Sequence, residues 1–176
     1  MKVPAAHGPV REQLQALGAE PLGTVHQHDT YYDHPSRSFA ETDEALRLRR
    51  ESADDDSGTT ATLTYKGPLV DDVSKTREEV ETEVADAAAM DDVLRAVGFE
   101  PAAEVEKERE RFDLDGYVVA LDHVAGLGEF VEVETVGEEA AVADLRAGAF
   151  ERCRRLGLDP DDAVQTSYLV MLLDVR

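Results

Sequence analysis

Charge recurs at every second residue in this chain, and that period constrains its fold more than any other feature. Arg47-x-Arg49, Lys107-x-Arg109-x-Arg111, Glu79-x-Glu81-x-Glu83 and Glu132-x-Glu134 each skip one position. A β-strand points residues i and i+2 to the same face. Each run therefore projects a row of like charge to one side. The opposite face is apolar in several runs: Leu46 and Leu48, Val80 and Val84, Val131 and Val133. An apolar face needs cover, which helices can supply. Lysine makes the cation rows conspicuous, for the chain has only four, Lys2, Lys66, Lys75 and Lys107, against 39 acidic residues.

The coarse order of elements follows from period and punctuation. A short amphipathic helix is expected over Pro9–Leu17 and stops at Gly18, and a second runs from Ala87 to Val97 and stops at Gly98. Strands are expected at His26–Tyr32, Ala45–Glu51, Thr59–Lys66, Arg77–Val84, Val105–Asp113, Tyr117–Asp122 and Glu129–Val136. Asp115-Gly116 is a two-residue hairpin signal. A long helix is expected over Glu138–Leu156, and the tail from Asp161 to Leu173 reads as a last helix. Leu17-Gly18-Ala19-Glu20-Pro21 also echoes Val97-Gly98-Phe99-Glu100-Pro101 at a period of 80 residues. That spacing points to a repeated helix-to-strand unit.

Composition excludes several partners. A net charge of −21 argues against nucleic acid, whose phosphates want a basic surface. Acid spread along the whole chain, with few lysines, suits a protein adapted to high salt. One cysteine, Cys153, allows no internal disulfide. No apolar run reaches membrane-span length and no leader pattern opens the chain. The expectation is one domain over residues 1–176, soluble and cytoplasmic. A homodimer is left open.

With helices on the apolar faces, the sheet is expected to close into a barrel with the charged rows inside. Fixed arginines and lysines bind phosphoryl oxygens, and carboxylates hold the divalent ion that bridges those oxygens. The five histidines have no zinc-ligand spacing. No phosphate-cradling glycine loop is present; Gly126-x-Gly128 reads as a turn.

The order Leu-Arg-Leu-Arg, Leu-Thr-Tyr-Lys-Gly-Pro, Arg-Glu-Glu-Val-Glu-Thr-Glu-Val, Val-x-Lys-x-Arg, Leu-Asp-x-Val, Gly-x-Phe-Val-Glu-Val-Glu and a terminal Ser-Tyr-Leu resembles the CYTH domain. His28 to Asp33 (His-Asp-Thr-Tyr-Tyr-Asp) resembles that family's second strand. The family comprises class IV adenylate cyclases and thiamine triphosphatases, the triphosphate tunnel metalloenzymes. The resemblance implies an α+β fold, an eight-stranded antiparallel β-barrel (tunnel) with helices packed outside, taking a nucleoside or inorganic triphosphate with Mg²⁺ or Mn²⁺. Lys2, Lys66, Lys107 and Arg109 would then be catalytic. Arg47, Arg49, Arg77 and Arg111 would join Lys66, Lys107 and Arg109 on the phosphates. Glu132 and Glu134 would be metal ligands, with Glu79, Glu81 and Asp122 beside them. The nearest branch is the cyclase, converting ATP to cyclic AMP and pyrophosphate; a triphosphatase or a non-catalytic binder is the alternative. The family's first strand reads Glu-x-Glu-x-Lys. Lys2 matches its lysine, so both glutamates would precede residue 1, and the natural chain is expected to start upstream of Met1.

Overall fold

The computed structural model describes residues 1–54, 58–71, 76–137 and 141–174. Lys75 and the expected helix start at Glu138 lie outside these. The eight strands are β1 (Lys2–Pro4), β2 (Glu20–Asp33), β3 (Ala45–Ala53), β4 (Thr59–Asp71), β5 (Thr76–Glu83), β6 (Glu100–Leu114), β7 (Tyr117–Val124) and β8 (Gly128–Glu134). The helices are α1 (His7–Ala16), α2 (Phe39–Thr42), α3 (Ala87–Ala96), α4 (Val142–Arg155) and α5 (Tyr168–Asp174). The strands form one sheet in the order β1-β8-β7-β6-β2-β3-β4-β5. The pairings of β1 with β8, β7 with β8, β2 with β3, β3 with β4 and β4 with β5 are antiparallel.

By compactness the chain divides into two units: Met1–Thr24 with Glu108–Thr166, and Val25–Lys107 with Ser167–Arg176. In the first unit, Val119, Leu121, Val131 and Val133 present the apolar face of β7 and β8. They are packed with Val10 and Leu14 of α1 and with Ala149, Cys153 and Leu156 beside or within α4. Burial in that core pushes the Cys153 thiol up from its ordinary pKa. In the second unit, Tyr32, Leu46, Leu48 and Leu63 pack against Met90 and Leu94 of α3. The Tyr32 hydroxyl donates to Asp91 of that helix at 2.5 Å. Asp86 caps α3 by accepting from the backbone N–H of Ala88 and Ala89. Helices thus cover the apolar faces, as the alternation requires. Val80 departs from it: it shares the Tyr65 side of β5 yet is 58% exposed.

Three differences from the expected elements have local causes. β2 and β6 start six and five residues earlier, at Glu20 and Glu100, in stretches with no alternation to announce them. The tail is helical only from Tyr168, and Pro160–Asp162 is a separate 3-10 turn capped by Asp159. Between them the Val164 N–H donates to the Lys2 carbonyl, an extended-chain bond that a continuous helix would forbid. A short helix, α2, occupies part of the stretch between the expected strands His26–Tyr32 and Ala45–Glu51, where no element was expected, and it ends on Asp43 at φ 51°.

Candidate active site

Two clusters of charge form, one in each unit, on the sheet faces opposite the apolar faces that α1, α3 and α4 cover. In the second unit the register sets Asp29 opposite Arg49, Tyr31 opposite Arg47, Arg47 opposite Thr64, and Thr64 opposite Glu81. Cross-strand partners share a face, so the cations of β3 and β4 meet the acids of β2 and β5. Arg49 donates both ends of its fork to Asp29, 2.7 Å to each carboxylate oxygen. Arg47 stands 4.0 Å from the same carboxylate and donates to the Thr64 hydroxyl at 3.1 Å. Thr64 passes the chain on by donating to Glu81 at 2.8 Å. Lys66 donates to Glu79 at 2.5 Å. Lys107 lies 5.2 Å from the ring centre of Tyr168.

The electrostatics of this cluster are those of an anion site. Burial alone would raise the Asp29 carboxyl; Arg49 first, then Arg47 and Lys107, outweigh it and hold it below the ordinary range. Burial lowers the Lys66 pKa, Arg47 lowers it further, and Glu79 does not restore it. The Arg47 side chain, in a residue 8% exposed, keeps its Nε without a hydrogen-bond partner among the described residues. A buried unpaired donor costs about 1–3 kcal/mol, and an anionic ligand would remove that cost.

The first unit inverts the pattern. Arg109 sits at the convergence of three carboxylates. It donates from Nε and Nη2 to both oxygens of Asp122 at 2.6 Å, from Nη2 to Glu132 at 2.5 Å, and from Nη1 to Glu134 at 3.3 Å. Burial would lower its pKa, but Glu132, Asp122 and Glu134 outweigh burial and raise it well above the ordinary value. Lys2 pairs in register with Glu132, and its ammonium donates to the Thr166 carbonyl.

Strand β6 shows how an acidic protein keeps cations inside. Lys107 and Arg109 are buried, whereas Glu104, Glu106 and Glu108 between and before them are exposed. Arg111 continues the cation row. Arg77 does something else. It is tied to the turn after α2, donating to the Asp43 carboxylate at 2.7 Å and carbonyl at 2.5 Å, with the Gly67 carbonyl at 3.3 Å.

Several expected residues thus meet inside one unit: Arg47, Arg49, Lys66, Glu79 and Glu81 in the second, and Arg109, Asp122, Glu132 and Glu134 in the first. Asp29, Thr64 and Tyr168 were missed. Asp29 stands in a legible alternation, Gln27-x-Asp29-x-Tyr31, so period 2 could have found it.

Among the described residues no group of three or more His, Cys, Asp or Glu side chains is arranged for a metal. Both oxygens of Asp122 are engaged by Arg109. Glu132 and Glu134, each of which accepts only one bond from Arg109, are hard oxygen donors on one face of β8. Two carboxylates suffice for Mg²⁺, which takes its other ligands from substrate phosphates and water. The donor chemistry fits.

A CYTH-domain family model matches residues 1–168. The chain belongs to the CYTH family. A Methanocaldococcus jannaschii protein named provisionally as an adenylate cyclase is 34% identical over 161 residues, covering 91% of this chain and 89% of that one. The adenylate cyclase CyaB of Aeromonas hydrophila is 30% identical over 157 residues, 88% of this chain and 77% of that one. Among solved structures, a Pyrococcus horikoshii protein has 35% identity and a TM-score of 0.91, covering 99% of this chain and 97% of that one. A Hippeastrum protein, described provisionally as an adenylyl cyclase with a dominant triphosphatase activity, has a TM-score of 0.66 at 18% identity, covering 99% and 94%. Its likeness is one of fold. The eight-stranded antiparallel CYTH fold with helices on the sheet is therefore the fold of this chain. No described helix is long and apolar enough to cross a membrane.

Proposed function

We propose that this CYTH protein is an adenylate cyclase, converting ATP to cyclic AMP and pyrophosphate. The observation that carries triphosphate binding is Arg47: a buried guanidinium with an N–H unpartnered among the described residues, in a face that also holds Arg49, Lys66 and Lys107. Such a face is built to receive phosphoryl oxygens. The assignment to ATP draws on the names of the two relatives.

Each group then has a definite task. Arg47 and Arg49 bind phosphate oxygens, and Asp29 and Thr64 hold those two arginines in position. Lys66 and Lys107 add point charges that stabilise the departing pyrophosphate, the group on which negative charge grows. Lys66 enters the reaction with a lowered pKa, and an arriving polyanion favours its protonated form. Arg109 positions Glu132 and Glu134 by anchoring both through its buried fork. Those two glutamates would hold Mg²⁺ or Mn²⁺, an ion that would supply Lewis-acid chemistry when bound.

Incubating the protein with ATP and Mn²⁺ at molar salt, then resolving cyclic AMP, ADP and phosphate, tests the reading. Cyclic AMP is the expected product. ADP with phosphate would move the assignment to a triphosphatase, the activity attributed to the Hippeastrum protein. No product would leave a polyphosphate binder.

A further inference from the structure

One polar residue on the cationic face has no task in that chemistry. Gln27 is 4% exposed and lies opposite Glu51 in the β2–β3 register, next along the face from the Asp29–Arg49 pair. Its amide nitrogen donates to Glu51 at 2.5 Å. A carboxylate only accepts, so that bond fixes which end of the amide faces Glu51. The carbonyl end, Oε1, is buried and has no partner among the described residues.

We infer that Gln27 Oε1, with the Glu51 carboxylate beside it, forms a subsite for the non-phosphate part of the substrate, accepting a hydrogen bond from a nucleoside hydroxyl or amine. The inference rests on the cationic face being a triphosphate site. Two physical arguments select the occupant. An orphaned acceptor needs a donor, and an ionised phosphate chain has almost none to give, whereas a ribose and an adenine carry several. A phosphate would also meet Glu51 as a like charge, so the chain of phosphates ends before this point. The two pairs lie two residues apart along the strand, about 7 Å, so one ligand can span both. Gln27 is therefore a specificity-determining residue, selecting a nucleoside triphosphate over inorganic triphosphate. Leaving a buried polar group unpaired is what makes such discrimination effective.

Calorimetric titration of the full chain with the bismethylene analogues of ATP and of inorganic triphosphate, in Mg²⁺ and molar KCl, tests this. Their P–C–P bridges prevent turnover. The unmodified protein is expected to prefer the nucleotide analogue. Gln27→Met, similar in length and apolar, should weaken that analogue about five- to tenfold and leave the inorganic one unchanged. Gln27→Glu keeps an acceptor but sets a second carboxylate beside Glu51, and should weaken both. Equal weakening of both analogues by Gln27→Met would mean that Gln27 only props the sheet, or that a cation or water occupies the spot, and would overturn the inference. So would no change in either. If the unmodified protein binds neither analogue, the triphosphate reading itself falls, an outcome distinct from failure at Gln27 alone.

Discussion

Lys66 and Arg109 look equivalent in the sequence, each a cation in an alternating strand, but their surroundings separate them. Lys66 holds one carboxylate, Glu79, which is itself partly exposed. Arg109 holds three, and its partner Asp122 is fully buried. Lys66→Ala and Arg109→Ala should both cut turnover, by about 3 kcal/mol where a contact to the transferring group is lost. Stability should tell them apart. Arg109→Ala strands a buried carboxylate and should cost about 3–5 kcal/mol in chemical denaturation, whereas Lys66→Ala should cost little. Equal denaturation midpoints would refute the anchoring role of Arg109. Lys66 also sets a pH limit. Its protonated form binds the anion, and burial with Arg47 lowers its pKa, so affinity should begin to fall at a lower pH than for an ordinary lysine. Lys66→Arg, which stays charged, should carry binding further into the alkaline range; an unmoved limb would assign it to another group. These distinctions were invisible in the sequence because they depend on register. The charged rows were legible from period 2, but the partners of each cation lie on other strands, 13 residues away for Asp122 and 20 for Asp29.

Elements were legible wherever a local signal forced the backbone. The helix-to-strand echo is a conformational repeat: Gly18 and Gly98 both take positive φ, and both N–H groups turn back to the preceding helix, to Gln15 and Arg95. Ala19 and Phe99 then bond alike, to Leu14 and Leu94. Asp115-Gly116 turns β6 into β7 with both residues at positive φ, the geometry of a tight hairpin. What failed was extent, since a strand lengthens wherever a neighbour offers pairing. Gly148 shows a constraint no pattern reveals. Within α4 an alanine should be preferred by roughly 1 kcal/mol. A Cβ there would collide with the Tyr117 hydroxyl and stand 2.8 Å from the ring carbon that bears it. That ring is buried, its hydroxyl donates to the Leu145 carbonyl, and Arg152 lies 4.0 Å over its face. Gly148→Ala should therefore destabilise by about 1–3 kcal/mol, the sign opposite to helix propensity. A raised melting temperature would show that Tyr117 can step aside.

For the whole molecule the governing quantity is −21 charges on 176 residues. The structure sorts those charges: cations such as Arg47, Lys107 and Arg109 are buried, while Glu104, Glu106, Glu108 and most other acids stand at the surface. Burying these cations leaves the exposed surface strongly acidic. Self-repulsion among exposed charges opposes the compact state, and its range shrinks from about 10 Å at 0.1 M salt to about 3 Å at 1 M. The interior pairs are screened much less, because solvent ions do not reach them. Salt should therefore remove the repulsion and spare the paired clusters. The melting temperature is expected to rise steadily from 0.1 to above 1 M KCl and to fall again on dialysis. KCl serves better than a sulfate salt, because sulfate also strengthens apolar burial and would raise the temperature for a separate reason. Lysine or arginine replacements at exposed acids such as Glu104 and Glu106 should flatten that dependence; equivalent changes at buried Asp29 should instead lower stability at every salt concentration. A melting temperature indifferent to KCl would mean that the surface charges are already spaced beyond one another's reach, and that the acidity has a purpose other than tolerance of salt.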